Sequence, residues 1–317
     1  MGCMPDWKSD ILAAYDRIAP LLRETPVDDA PLAPGVDLLL KLEHLQRTGS
    51  FKFRGASHKI ALLGAEEARG GVIAASNGNH GLGVAAAARA RGIRAEVFVS
   101  SHVSPAKARR IESLGARIRY AGADPLAAEL AARQSAEESG QVFISPYNDA
   151  EVIAGQGTIA VELLRQIAQP IDAVFIAAGG GGLMGGMGAY LKAVSPSTEI
   201  VGCWPANSPV LYRCMQAGRV VDVAESPTLS ESTSGGLEPG SITVDLCRQV
   251  MDRPSFVSEE QILDAMRLML AAEHWVIEGA AAVALAALLQ DAARYRGKCV
   301  VVLLCGRNVS PEVWSRV

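Results

Sequence analysis

Lys52 stands between two phenylalanines in SFKFRGA (50–56), two residues before Arg54. A lysine amine attacks a carbonyl only when it is uncharged, and three local features favour that form. Phe51 and Phe53 reduce hydration of the amine. Arg54 adds a like charge. The stretch also opens a helix expected over residues 52–64, whose N-terminal dipole is positive. An isolated lysine in such a setting usually sits on the solvated face of an amphipathic helix, so its neighbours in the fold must decide between the two readings.

Three other stretches could supply those neighbours. SNGNHG (76–81) follows the apolar run GVIAA. Its glycines allow a tight turn, and Ser76, Asn77, Asn79 and His80 bring short polar groups. The helix after it starts with free N–H groups suited to a carboxylate. GGGGLMGG (179–186) follows DAVFIAA. Successive glycines let the backbone approach an anion, and their N–H groups can wrap a phosphate. Gly180, Gly182 and Gly185 also spell the dinucleotide fingerprint, but that reading requires an acidic residue at the end of the next strand. The next strand ends at Trp204-Pro205, so a compact monophosphate fits better than a nicotinamide cofactor. LLCGRN (303–308) ends a third apolar run. Cys305 there is either a small core residue or a weak hydrogen-bond partner pointing into a site. A reactive lysine, a phosphate cradle, an anion-binding turn and a neutral polar group describe a site for pyridoxal 5'-phosphate.

The elements that must position these groups are short β-branched runs, each leading into an alanine-rich helical pattern. They lie at 71–76, 94–101, 172–180, 199–205 and 298–306. Buried runs alternating with helices predict an α/β fold built on parallel sheet, with ligands beyond the C-terminal ends of strands. Residues 71–148 read as one small α/β domain. Residues 1–61 and 151–317 read as a larger, discontinuous domain around it. The chain has 317 residues, 20% of them charged, and a net charge of −4, without a basic stripe, so neither nucleic acid nor an anionic membrane is an expected partner. No apolar stretch is long enough to span a bilayer. The opening MGCMPDWKSD lacks the apolar core of a signal peptide, and Asp6 breaks a myristoylation pattern. The six cysteines, at 3, 203, 214, 247, 299 and 305, form no CxxC pair. They predict neither a zinc site nor a disulfide framework, and a cytoplasmic location.

Together SFKFRGA, SNGNHG, VIAGQGTIAVELL (152–164), GGGGL and CGRN, in this order over nearly the whole chain, resemble the serine/threonine dehydratase group of the fold type II (tryptophan synthase β-like) pyridoxal phosphate enzymes. The resemblance implies two open, twisted, mostly parallel sheets with flanking helices. It implies that Lys52 bonds covalently to the cofactor and serves as the catalytic base. Phe51 then lies against the ring, and Asn79 bonds the ring hydroxyl. Gly179, Gly180, Gly181, Gly182 and Leu183 hold the phosphate. Cys305 faces the pyridine nitrogen, and Glu278, in VIEGAAAV, lies near the cofactor. Ser76, Asn77 and His80 belong to the loop that receives the substrate carboxylate.

The implied activity is β-elimination from a β-hydroxy amino acid, threonine or serine by default, giving a 2-oxo acid and ammonia. A bulkier substrate such as 3-hydroxyaspartate, phenylserine or a hydroxyectoine-derived compound is the alternative. An amino-acid racemase is less favoured, because Asn77 stands where racemases of the group carry a serine base. Relatives often bind a divalent metal where this chain has Trp204 and Val210, so no such metal is expected. Glu231-Ser232 replaces a common aspartate-glycine under the ring. The chain stops soon after CGRN, so a C-terminal regulatory domain and its feedback are not expected. A homodimer is.

Overall fold

The computed structural model describes residues 6–123 and 125–317. Cys3 and the MGC opening, on which the lipidation argument turned, lie outside the described residues. Among the described residues, ten strands form two sheets. Strands β1 (Val27–Asp29), β2 (Asp37–Lys41), β7 (Ala173–Ala177), β8 (Glu199–Pro205), β9 (Arg253–Val257) and β10 (Cys299–Leu303) make the larger one, in the order β1-β2-β10-β7-β8-β9. Only the edge strand β1 runs antiparallel. Strands β3 (Val72–Ala75), β4 (Ala95–Val99), β5 (Arg117–Tyr120) and β6 (Val142–Phe143) make a fully parallel sheet in the order β5-β4-β3-β6.

The five apolar runs read from the sequence are β3, β4, β7, β8 and β10. The central strands β7 and β10 are buried at every position, as expected where helices cover both faces of a parallel sheet. The other strands were not anticipated. β5, RIRY, has no buried residue, and β1 and β6 are two or three residues long. Their pairing partners, rather than their own pattern, hold them extended.

The helix Lys52–Ala61 sits between the sheets. Phe53, Ala56 and Ile60 are buried in the core of the four-stranded sheet, while the residue just before the helix, Phe51, packs against the core of the six-stranded one. Glycines permit this placement. A Cβ on Gly155, in the helix Ala150–Gln166, would meet Gly55 Cα at 2.6 Å. A Cβ on Gly83, in the helix Asn79–Ala90, would meet the Lys52 carbonyl oxygen at 3.0 Å. Three helices thus converge at backbone contact around Lys52, which explains the small residues in VIAGQGT.

Candidate active site

Lys52 is the first residue of its helix. Its Nζ donates to the Pro146 carbonyl at 2.7 Å and lies 5.2 Å from the Phe51 ring centre. Burial lowers its pKa from 10.5 to about 8. The Glu278 carboxylate opposes that shift. A Cys305 thiolate would oppose it too, but burial holds that thiol well above its ordinary pKa and so protonated.

Arg54 plays no part in this shift, which corrects the expectation from sequence. Its guanidinium is fully buried and points away into an ion cluster. It donates to both oxygens of Glu43 and both of Glu162, and Glu162 also pairs with buried Lys41 at 2.7 Å. Two cations meet two anions, so the cluster offers Lys52 no net charge. Its effect is to anchor the first turn of the lysine helix to the helix Ala150–Gln166.

The glycine stretch leaves β7 and starts the helix Gly182–Val194. Gly181 has φ +90°, open only to glycine without strain. The Gly180 carbonyl accepts from Thr243 Oγ1 at 2.7 Å, and the Gly181 carbonyl from Cys247 Sγ at 3.3 Å. In trans peptides the N–H groups of Gly181 and Gly182 therefore face the other way, together with the unpaired N–H groups of the helix start. Space above them is kept by the absence of side chains. A Cβ on Gly180 would lie 2.4 Å from the Tyr147 ring, and one on Gly179 would lie 2.7 Å from Thr233 Cα.

These residues line one cavity, with Phe51, Lys52, Asn79, Gly179 to Leu183, Ser232, Glu278 and Cys305 on its walls. Asn79 donates through Nδ2 to Glu278 at 2.8 and 3.0 Å and to Ser232 Oγ at 3.3 Å. Burial raises the pKa of Glu278, and the Asn79 and Ser232 bonds oppose that rise. Ser232 thus reaches the cavity as a donor and acceptor where a glycine would leave only backbone.

Ser76, Asn77 and His80 line a second, wider cleft that opens from the first at Lys52, Asn79, Tyr147, Gly180 and Ser232. Their side chains are already engaged. Ser76 Oγ accepts from Gly78 N–H at 3.1 Å, and the Asn77 amide exchanges two bonds with Ser100, each of 2.9 Å. His80 is not in the loop but in the first turn of the helix Asn79–Ala90. Its Nε2 lies 2.8 Å from the Ile144 carbonyl, so that nitrogen carries the proton. Burial lowers its pKa to about 3. What remains for an anion is the Ser76 hydroxyl proton, the second proton of the Asn77 amide and the backbone at the start of that helix. Trp204 and Val210 are both buried and apolar.

Sequence reasoning missed the Pro146 carbonyl, the wall formed by Thr233, and the pair Thr243 and Cys247 that turns the glycine carbonyls outward. None has a local sequence signal. Asn308, the last residue of CGRN, was in view but unassigned. It binds Asn79 directly.

The family profile described as "Pyridoxal-phosphate dependent enzyme" matches residues 18–306. An L-threonine ammonia-lyase of Thermotoga maritima is 37% identical over 283 residues, covering 89% of this chain and 70% of that protein. A solved structure of maize serine racemase superposes with TM-score 0.91 at 30% identity, covering 97% of this chain and 95% of that one. The processed form of threonine deaminase isoform 2 from Solanum lycopersicum superposes with TM-score 0.89 at 30% identity, covering 98% and 91%. The residues present fit the cofactor of this family. The cavity joins an amine driven toward neutrality, a glycine cradle that any Cβ would fill, and a neutral thiol.

Proposed function

The chain belongs to the pyridoxal-phosphate-dependent enzymes, and we propose from that premise that it is an ammonia-lyase for a β-hydroxy amino acid. The substrate loses its β-hydroxyl and its amino group and leaves as a 2-oxo acid and ammonia. The observation that carries the reading is Lys52. Its amine, depressed to about 8, lies in the cavity that holds the glycine cradle.

Pyridoxal phosphate, when bound, supplies the electron sink that loosens the α-proton and the β-hydroxyl. Lys52 Nζ would hold the cofactor at rest and take the α-proton during turnover, a task suited to an amine lowered to about 8. The N–H groups of Gly179 to Leu183 hold the phosphate. Asn79, backed by Glu278, would donate to the ring hydroxyl, and Phe51 would cover the ring. The Cys305 thiol, kept protonated by burial on the cavity wall, would meet the pyridine nitrogen without adding charge, which would favour loss of the β-hydroxyl over reprotonation. The backbone beside Ser76, Asn77 and His80 receives the substrate carboxylate.

Threonine and serine are the first substrates to test. The cleft continues past Lys52 to Thr228, Ser234, Gly235 and Gly236, which leaves room for a larger polar side chain. Racemisation needs a proton carrier on the opposite face. Asn77 is an amide bound to Ser100 and cannot serve. A homodimer in the cytoplasm completes the reading, supported by the resemblance to relatives and by the five free, buried cysteines at 203, 214, 247, 299 and 305. Residues 71–148 are proposed as the mobile small domain.

The test is a visible spectrum of the cofactor-loaded protein, with keto-acid release measured for threonine, serine and bulkier β-hydroxy amino acids. A substrate should perturb the yellow band and yield keto acid, and Lys52→Ala should abolish that yield. Keto acid formed undiminished by the alanine variant would refute the mechanism. α-Deuteration of recovered substrate in heavy water with inversion, and no keto acid, would mean a racemase.

A further inference from the structure

Asn308 is the middle of a hydrogen-bond chain that starts outside the cavity and ends on Asn79. Arg110, in the helix Pro105–Ser113 beside the four-stranded sheet, donates from Nη1 to Asn308 Oδ1. Asn308 Nδ2 donates to Asn79 Oδ1 and, at 3.1 Å, to the Thr48 carbonyl. The Asn308 backbone N–H reaches the Glu278 carboxylate at 3.0 Å. Asn79 Nδ2 in turn donates to that same carboxylate at 2.8 and 3.0 Å.

A side-chain amide can point either way, and the partners decide which. Here the partners leave no choice. A guanidinium only donates, so the Asn308 atom facing Arg110 is oxygen. A peptide carbonyl only accepts, so the atom facing Thr48 is nitrogen. The two conditions agree, and Asn308 must therefore present N–H to Asn79. The Asn79 atom that meets it is oxygen. A carboxylate accepts, so the Asn79 atom facing Glu278 is nitrogen. The Asn79 amide is thus set from both ends, and its remaining N–H faces Ser232 Oγ, on the cavity wall.

We infer that Asn308 is a positioning residue: by donating to Asn79 Oδ1 it holds the Asn79 NH2 group toward the cavity, where that group meets the ring oxygen of the bound cofactor. Arg110 fixes Asn308 in turn from the helix beside the four-stranded sheet. The inference rests on the reading that Asn79 bonds the ring hydroxyl.

Asn308→Asp and Asn308→Ala separate this role from packing. The aspartate keeps the shape, the acceptor for Arg110 and the backbone bond to Glu278, but it cannot donate to Asn79. A residue needed for shape tolerates aspartate better than alanine. A residue needed as a donor does not. The cofactor-loaded variants would be compared by visible spectrum and by cofactor dissociation constant, with far-UV circular dichroism as the check on folding. We expect aspartate to weaken cofactor binding about tenfold, as loss of one oriented hydrogen bond does. We also expect it to shift the balance between the yellow band and the near-ultraviolet band, at least as far as alanine does. An Asn308→Asp protein with wild-type spectrum and affinity, or one milder than Asn308→Ala, overturns the inference. Asn79→Ala distinguishes the two levels. If it shifts the spectrum while Asn308→Asp does not, the relay alone is wrong. If Asn79→Ala leaves the spectrum unchanged, Asn79 does not meet the ring oxygen, and the underlying reading falls with the relay.

Discussion

Lys52→Met in the cofactor-free protein gives the most direct measure of how hard the fold pushes the amine toward its reactive form. Burial takes the Lys52 amine from its ordinary 10.5 to about 8. Between those values the unfolded chain holds a proton that the folded one has released. Stability therefore rises as pH climbs from 8 to 10.5, and below pH 8 the folded state bears the full cost of burying the ammonium. That cost is about 3 kcal/mol at about 1.4 kcal/mol per tenfold change in proton affinity. It falls to about 2 kcal/mol once the partial exposure of the side chain is allowed for. Methionine has a similar length and no charge to bury, so it escapes the cost at every pH. It also loses the bond to the Pro146 carbonyl, a term of about 1 kcal/mol that stays constant with pH. Urea unfolding of both proteins at pH 7.5, 8.5, 9.5 and 10 isolates the titration, because every other group cancels in the difference. The stability of the variant relative to wild type should drop by about 2 kcal/mol from the lowest to the highest pH. A difference that stays flat, or that grows with pH, would refute the claim that the site holds Lys52 near neutrality.

Other expectations follow from the same structure. Arg54→Met leaves Glu43 and Glu162 buried with Lys41 as their one remaining cation, and should lower the denaturant midpoint by an amount equivalent to about 3–5 kcal/mol at unchanged slope. Gly180→Ala puts a methyl group into the Tyr147 ring and should cost at least about tenfold in cofactor retention on dialysis, read by loss of visible absorbance. Gly70→Ala, where the added methyl group would meet nothing closer than 3.9 Å, should retain the cofactor fully. His44 is buried edge-on to Trp275, neither ring nitrogen has a partner, and burial lowers its pKa to about 4. Wild type should therefore lose stability as pH falls from 6.5 toward 4, and His44→Phe should flatten that limb of an acid-unfolding curve.

The chemistry of this protein was largely legible in local sequence because the cofactor site is built from short segments at strand ends. SFKFRGA, SNGNHG, GGGGL and CGRN each carry a backbone or side-chain requirement within a few residues. A glycine cradle needs glycines whatever surrounds it, and buried parallel strands need apolar runs. Local reading failed where a partner distant in sequence decided the outcome. Arg54 looked like a neighbour that repels Lys52, but on a helix the side chains of residues 52 and 54 diverge by more than half a turn, and Arg54 belongs to Glu43 and Glu162. His80 and Asn77 read as free polar groups, yet Ile144 and Ser100 already hold them.

By itself the sequence determined the kind of site, because residue type and spacing set what a segment can hold: a reactive amine, a phosphate, an anion. Tertiary structure decided the state of those groups. The Lys52 pKa depends on how completely three converging helices exclude water. The outward turn of the glycine carbonyls depends on Thr243 and Cys247, and the orientation of the Asn79 amide on Asn308 and Glu278. Hydration and hydrogen-bond direction are properties of neighbours, and the neighbours here are brought together by the packing of two sheets.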